Sequence, residues 1–387
     1  MKSARDYLRD WFPRIPVKLT QPVIEIVDLI NGRVFSLSPR ARRVRANQKQ
    51  LLETNYSKNT KRLIIFLAPG LDIVNGGILS ISSIFEETNK LKHIHNAETL
   101  LCNYPCDPPL LKYSKFENDN IMFSFSQVLT YFDKLENLQL HIPEHAIPKF
   151  LLSLSRNDYL SLKRIKNIQI NIMIQNIDSL PSMKYIEKLG RFGKLTCTTG
   201  HSKYSTIELR NKLGFPLHGL SVFVSPEKYH FKNYCEKENL MIISPDLHPR
   251  RSEVLNLIAR QFPHLKLQTI RKMTYQEYKA TISKAKWALT FGEGLDGYFV
   301  EPIFSGGISF SVYNPSFFTE DFRSLRTVYG DYDALIEKIG FDLKYLDNEE
   351  NYKDYQSEQF ELCHKHYEYN EYLKNLKSFL KGDYTYK

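Results

Sequence analysis

Residues 287–308 read WALTFGEGLDGYFVEPIFSGGI, and the fold turns on this stretch. Trp287-Ala288-Leu289-Thr290-Phe291 is a short apolar run of the length and kind that makes a buried strand. A loop with Gly292, Gly294 and Gly297 follows. Glu301-Pro302 predicts the first turn of a helix, where proline is tolerated and a carboxylate suits the positive end of the dipole. Gly306-Gly307 stops that helix, and Ile308-Ser309-Phe310-Ser311-Val312 predicts the next strand. The unit strand, glycine-rich loop, helix, strand belongs to a parallel sheet. It sets Glu293 and Glu301 at the sheet's mouth, where open α/β folds bind ligands.

Upstream of this unit the same alternation continues. Leu240 to Ser244 predicts a strand, followed by Pro245-Asp246-Leu247-His248-Pro249-Arg250-Arg251 and a helix from Arg251 to Phe262. Leu265 to Ile270 predicts another strand, and Tyr275 to Ala285 a helix feeding the central stretch. Downstream come a helix near Asp331 to Ile339 and an acidic, Tyr-rich tail from Asp347. That tail has helical spacing at Leu362, Tyr367, Leu373, Leu376 and Phe379.

A second unit of the same kind occupies the first half. Leu63 to Leu67 predicts a buried strand, then a loop ending in Gly76-Gly77, then a helix from Ile78 to Leu91 with Ile78, Ile81, Ile84 and Phe85 inward. A strand leading through paired glycines to a helix N-terminus is an anion-binding arrangement. Further strands are predicted at Glu98 to Asn103, Leu138 to Ile142, Ile168 to Ile174, Lys194 to Thr198 and Leu220 to Val224. Alternation of this kind implies parallel, doubly wound sheets. The polar strand ends, His141, Gln175-Asn176 and Thr198-Thr199-Gly200-His201, converge on one edge. Ser225-Pro226-Glu227-Lys228 interrupts the pattern, so a domain boundary is expected between 226 and 238.

The totals limit the function classes. A chain of 387 residues, 42% hydrophobic, has room for two domains with sizeable cores. No apolar run approaches a membrane span, and the basic start lacks a signal peptide's apolar region, so a cytoplasmic protein is expected. Five scattered cysteines fit free thiols; Cys102 and Cys106 could seed a metal site, but no second cluster completes four ligands, and no metal is expected. The net charge of +10 attracts nucleic acid, anionic lipid headgroups or phosphorylated ligands. Although Tyr and Phe number 24 each, they are spread along the chain without a basic-aromatic RNA-binding motif, so no nucleic-acid partner is expected. The cations concentrate before the first strand. Lys2, Arg5 and Arg9 surround Leu8, Trp11 and Phe12, and Pro39 to Lys49 carries Arg40, Arg42, Arg43, Arg45 and Lys49. Residues 1–60 therefore read either as a patch that docks on an anionic membrane face or as a solvated basic linker.

Glu293 and Glu301, seven residues apart between them, with Gly294 after the first and Gly306 five beyond the second, carry a family resemblance. The segment resembles the E-x7-E segment of the retaining, GT-B fold glycosyltransferases of family 4. The resemblance implies an α/β fold of two Rossmann-like, doubly wound parallel-sheet domains facing across a cleft. It divides the chain into a leader at 1–60, an acceptor domain at 61–230, a donor domain at 238–345 and helices at 346–387 that cross back to the first domain. In that family the segment holds a nucleotide-sugar donor, so Glu301 would meet the ribose and Glu293 the transferred sugar. Gly76-Gly77 would approach the donor diphosphate or the acceptor. A histidine after a middle strand lies near the sugar in such enzymes. His141 matches it by position and His201 by its polar, Gly-flanked setting, and both stay open.

A metal-free enzyme neutralises the diphosphate with cations and helix N-termini, which implicates Arg250 and Arg251. The family has an arginine just after the strand and a lysine five residues later. Here Pro245 takes the first place and Arg250 the second, with His248 or Arg251 as substitutes. After Gly306 the family's Gly-x-Pro-Val is replaced by Gly307-Ile308-Ser309-Phe310. The expected function is a metal-independent, retaining hexosyltransferase working from a nucleotide-sugar, UDP by default, on a glycan or lipid-linked acceptor. Bacterial surface polysaccharide such as capsule or lipopolysaccharide is the expected product, made at the inner face of the cytoplasmic membrane. The nucleotide-sugar is a substrate, so no cofactor is implied. An epimerase-like nucleotide-sugar enzyme and a basic nucleic-acid-binding protein are the alternatives.

Overall fold

The computed structural model describes residues 38–73, 76–105, 107–115, 118–220, 228–292 and 294–387. The strands are β1 (Arg62–Ala68), β2 (Glu98–Asn103), β3 (Met122–Ser124), β4 (Asn137–Pro143), β5 (Asn167–Ile174), β6 (Lys194–Thr199), β7 (Leu217–Gly219), β8 (Glu238–Ile243), β9 (Lys266–Thr269), β10 (Ala285–Leu289), β11 (Ile308–Val312) and β12 (Val328–Tyr329). Described helices of eight residues or more are labelled α1 (Pro39–Asn55), α2 (Gly76–Lys90), α3 (Arg156–Arg164), α4 (Met183–Gly190), α5 (Arg251–Gln261), α6 (Tyr275–Lys284), α7 (Gly297–Phe304), α8 (Tyr332–Leu346), α9 (Glu349–His366) and α10 (Tyr369–Lys381).

The strands form a seven-stranded sheet of order β3-β2-β1-β4-β5-β6-β7 and a five-stranded sheet of order β12-β11-β10-β8-β9. Their paired strands all run parallel. Parallel sheets bury both faces, and β1 shows why its run is continuously apolar. Leu63, Ile65 and Leu67 enter one core cluster, while Ile64, Phe66 and Ala68 enter another with Ile78 and Ile81 of α2 and Tyr372 and Leu376 of α10. The end of the chain thus closes the first sheet, and a bridge between Leu217 and Tyr386 extends that contact to β7.

The structure departs from the expected elements in four places. Pairing on β6 starts earlier than Leu220, because the Cys197 N–H binds the Pro216 carbonyl at 2.9 Å; β7 is Leu217–Gly219, and 221–227 lie outside the described residues. The edge strand β3, three residues long, had no periodicity to betray it. Residues 1–37 of the expected leader lie outside the described residues, but 39–55 form α1 on the core rather than a linker. Ser38 caps this helix by accepting from the Ala41 N–H, Pro39 opens it, and Ala41, Gln48 and Leu52 face inward. The Gln48 amide donates to the carbonyls of Leu110 at 3.1 Å and Met122 at 2.9 Å, anchoring α1 to β3. Fourth, α7 begins at Gly297, where Asp296 accepts from the Phe299 N–H at 3.2 Å, so Glu301 and Pro302 sit one turn inside the helix.

No described helix is long and apolar enough to cross a membrane. Among the described residues, Cys102, Cys197, Cys235 and Cys363 are free, and no cluster of His, Cys, Asp or Glu could hold a metal ion. Cys106 lies outside them.

Candidate functional site

Both sheets reverse their strand order, and the reversal fixes where a ligand can enter. In the first sheet it falls between β1 and β4, in the second between β8 and β10. The loops leaving β8 and β10 therefore diverge to opposite faces and open a crevice at their carboxyl ends. Asp246, just after β8, and Gly292, just after β10, meet there: a Cβ on Gly292 would lie 2.7 Å from the Asp246 carboxyl carbon, so a larger residue would push the Asp246 side chain aside. Oδ2 of Asp246 is buried and accepts no hydrogen bond. The next glycine, Gly294, has φ +91 and lies against Phe318 and Ser311, which fixes the return of the loop towards α7. Glu293 between them is outside the described residues.

Glu301 points from α7 into a ring of tyrosines. It is 7% exposed, and its Oε1 accepts from the Tyr275 hydroxyl at 3.5 Å. Tyr275 in turn meets the Tyr229 hydroxyl at 2.9 Å, while Tyr278 donates to the Gly297 carbonyl at 3.4 Å. Oε2 of Glu301 is buried without a hydrogen-bond partner. Burial raises this carboxyl from 4.5 to about 7, against the opposing pull of the Tyr278, Tyr229 and Tyr275 hydroxyls. A buried carboxylate with one unused oxygen suits a ligand carrying paired hydroxyls. Tyr275 also ties the two halves together, its N–H donating to the Lys115 carbonyl at 2.9 Å. Sequence reasoning missed the tyrosines and Asp246. Tyr275 and Tyr278 share a helix face, which was visible, but Tyr229 reaches them from the linker.

The first sheet presents the opposite wall. Gly76 and Gly77 open α2, and the Gly77 carbonyl accepts from the Gln175 amide at 3.0 Å, so the glycine loop is tied to the end of β5. Buried Glu144 holds that end by accepting from the backbone N–H groups of Gln175 at 3.1 Å and Asn176 at 3.0 Å. His201, after β6, packs edge-on against Phe317 from the loop after β11, ring centres 5.6 Å apart. It therefore sits where the two sheets' carboxyl ends meet, and burial lowers it to about 4, keeping it neutral.

Two expected site residues are placed elsewhere. His141 lies within β4 rather than after it, 2% exposed, stacked on Phe66 at 4.1 Å and edge-on to Phe379 of α10. Its Nδ1 meets the Asn171 amide at 3.2 Å, and burial lowers it to about 3, so it is a neutral residue packed in the core. Because the unfolded chain takes up a proton here near pH 6.5 and the native state does not, stability drains away as pH falls below that value. His141→Leu is expected to flatten this acid loss while leaving any nucleotide response intact; thermal melts from neutral pH down to about 4 check it. Arg250 is turned to the surface, pairing with Glu253 at 2.5 Å and Asp333 at 2.8 Å, which removes it from the crevice.

Arg251 takes the inward place. Its guanidinium donates to the carbonyls of Ser244 at 2.7 Å and Asp246 at 3.0 Å and to Thr269 at 3.2 Å, and it lies 5.0 Å from the Phe291 ring centre. It thereby braces the loop after β8 against the ends of β9 and β10. His248 stacks on Tyr332 at 3.8 Å and accepts from the Arg250 N–H at 3.2 Å.

No protein-family profile and no curated protein matches the chain. Solved structures do. Anabaena HepE in complex with UDP and glucose aligns with TM-score 0.53 and 8% identity, over 83% of this chain and 99% of that one. Sucrose-phosphate synthase from Thermosynechococcus elongatus aligns with TM-score 0.52 and 8% identity over the same shares, 83% and 99%. Trehalose-6-phosphate synthase OtsA aligns with TM-score 0.51 and 10% identity, over 83% and 99%. Identities this low speak to architecture alone. With two parallel sheets joined in this order across a shared crevice, the chain has the GT-B fold.

Proposed function

We propose that the crevice binds a nucleotide-diphosphate sugar and transfers its sugar to a glycan or lipid-linked acceptor with retention of configuration. The observation that carries this reading is Glu301, buried beside the strand reversal with one carboxylate oxygen unused. A vicinal diol, as on a ribose, can donate to both carboxylate oxygens and displace Tyr275. Glu293, eight positions earlier, would reach the transferred sugar. His201 would face it from the opposite wall as a neutral hydrogen-bonding group. Arg251, with the exposed Arg271 nearby, supplies positive potential for the diphosphate without a metal ion. Gly76 and Gly77, held by Gln175, would set the N-terminus of α2 towards an anionic group. UDP is the donor nucleotide of choice, as in the HepE complexes with UDP and with UDP-glucose. A bacterial surface polysaccharide, built at the cytoplasmic face of the membrane, is the product we favour.

A catalytically silent member of the same fold is a second reading. One observation favours it: the Asp246 carboxylate occupies the strand reversal while Arg250 is committed to Glu253 and Asp333. A thermal-shift screen against UDP, GDP, ADP, CMP and dTDP separates the two. At about a hundred times its dissociation constant, a ligand should stabilise the fold by about 2.7 kcal/mol. A rise with one nucleotide diphosphate that Glu301→Ala removes supports the donor site. A cooperative melt that none of them moves would overturn it.

A further inference from the structure

We propose that Lys237 is a positioning residue for Glu301: it clamps α6 to α7 at the end away from the crevice and so fixes where Glu301 stands against the tyrosines. Lys237 lies one residue before β8, at the amino edge of the second sheet, and is 8% exposed. Connecting parallel strands, both helices leave the carboxyl edge and return to this one. The Lys237 ammonium donates to the Ser283 carbonyl, in the last turn of α6, at 3.1 Å. It also donates to the carbonyl of Ser305, the residue that ends α7, at 2.8 Å.

A cation between two helix C-termini answers the partial negative charge of the last carbonyls of both. The arrangement is costly. Burial lowers the ammonium from 10.5 to about 7; Lys232 adds to the fall and Glu236 opposes it. Glu236 is turned outward, accepting from the Asn233 N–H at 3.0 Å, so among the described residues the hydrogen-bond partners of Lys237 are carbonyls. An apolar side chain in place of a buried ion is often neutral or stabilising, so what the ammonium supplies is geometry.

The clamp acts on the site because α6 carries Tyr275 and Tyr278 while α7 carries Glu301. Tyr275 reaches Glu301 at 3.5 Å and Tyr278 reaches the Gly297 carbonyl at 3.4 Å, contacts so long that a small spreading of the two helices breaks them. The chain leading to β8 holds the pair at both levels. Its Lys232 N–H binds the Ser305 carbonyl at 3.2 Å, and its Tyr229 hydroxyl meets that of Tyr275 at 2.9 Å. Gly306, at φ +84, permits the contact, since a Cβ there would lie 2.2 Å from the Lys232 carbonyl oxygen. The inference deepens the donor-site reading and rests on it only for what Glu301 binds.

Equilibrium unfolding of the full chain in urea, with no ligand present, tests the clamp. The parent, Lys237→Met, Glu301→Gln and the double variant are compared near pH 8. Glu301→Gln relieves the cost of burying a charge, so it stabilises the parent there. In the Lys237→Met background that gain should fall by about half or more, because a loosened α7 lets water reach the carboxylate. A lysine that merely fills space would leave the gain unchanged. Additive effects therefore overturn the proposal, as does a parent that Glu301→Gln fails to stabilise. If Lys237→Met does not fold, Lys237→Gln, with a shorter stem and a neutral donor, goes through the same cycle with the same expected outcome. UDP titrations give a second readout. Lys237→Met should weaken binding about tenfold, the lower end of what a hydrogen bond to a charged group contributes, and Lys237→Arg should restore most of it. Adding Lys237→Met to Glu301→Gln should weaken UDP binding no further. A parent that binds no UDP counts against the donor site, while the unfolding cycle still decides the clamp.

Discussion

Glu301→Gln is expected to make the free protein more stable near pH 8 by about 3 kcal/mol, and to cost it nucleotide binding. The carboxyl moves from 4.5 to about 7 on folding, and each tenfold change in an acid's dissociation constant corresponds to about 1.4 kcal/mol. The sign follows from linkage. The native state holds a proton that the unfolded chain gives up between these values, so burying the charged form penalises folding. That penalty is fully present above about 7, fades as pH falls through it, and is gone below 4.5. The neutral amide escapes it, so its advantage must vanish in acid. The same substitution removes the charge that a ligand diol would meet, and a hydrogen bond to a charged group contributes about 1.5–3 kcal/mol, or roughly ten- to a hundredfold in affinity. Urea titrations at several pH values, paired with UDP titrations, measure both halves. Parent and variant of equal stability near pH 8 would mean that Glu301 is solvated. Unimpaired nucleotide binding would remove it from the donor site.

Phe379→Ala should destabilise the protein by about 3–5 kcal/mol, the usual range for emptying a buried aromatic site. Phe379 is 1% exposed in α10 and packs edge-on against His141 at 5.7 Å, tilted on His218 at 5.8 Å and edge-on to Tyr384 at 5.8 Å. Its removal opens a void under the middle of the first sheet, although the residue lies far along the chain from that sheet. The backbone around it is committed as well. His218 meets the Asn375 carbonyl at 2.8 Å, and the Thr385 N–H donates to the other ring nitrogen at 3.2 Å. Equilibrium unfolding followed by circular dichroism gives the answer. A loss below about 1 kcal/mol would mean that α10 is a peripheral attachment.

The parts of the fold that repeat an apolar period were legible. β2 and β11 fall on the residues read for them, and β4 to β6 differ by a residue or so at their ends. What escaped was set by tertiary context. β3 is too short to show a period, and α1 hides its inward face behind arginines, with Gln48 rather than an apolar residue at its centre. The start of α7 was misplaced because Asp296 is the stronger cap, and Pro302 is accommodated inside a short helix. At the site, Glu301 was singled out by the resemblance of its E-x7-E segment, while the strands that lead into the two switch-point loops showed in their apolar runs. The tyrosine ring could not, since Tyr229, Tyr275 and Tyr278 come together only through folding. His141 illustrates the reverse error: a polar residue near a strand end is a site residue only if the strand stops there, and β4 continues to Pro143.

The way α10 and Tyr386 close the first sheet has a consequence for synthesis on the ribosome. Sequential domain folding needs each unit to be complete when its own segment emerges, but here Leu217 waits for a partner made far later. The early sheet leaves the exit tunnel with the Ile64 and Phe66 face covered by α2 and by Tyr113 but without Tyr372 and Leu376, and with β7 as a bare edge. Until Tyr372, Leu376 and Tyr386 arrive, that half exposes apolar surface and an unpaired strand edge, the features that make a folding intermediate prone to aggregate. A fragment cut at the linker inherits the same defect, whereas one fused to residues 368–387 regains its missing wall.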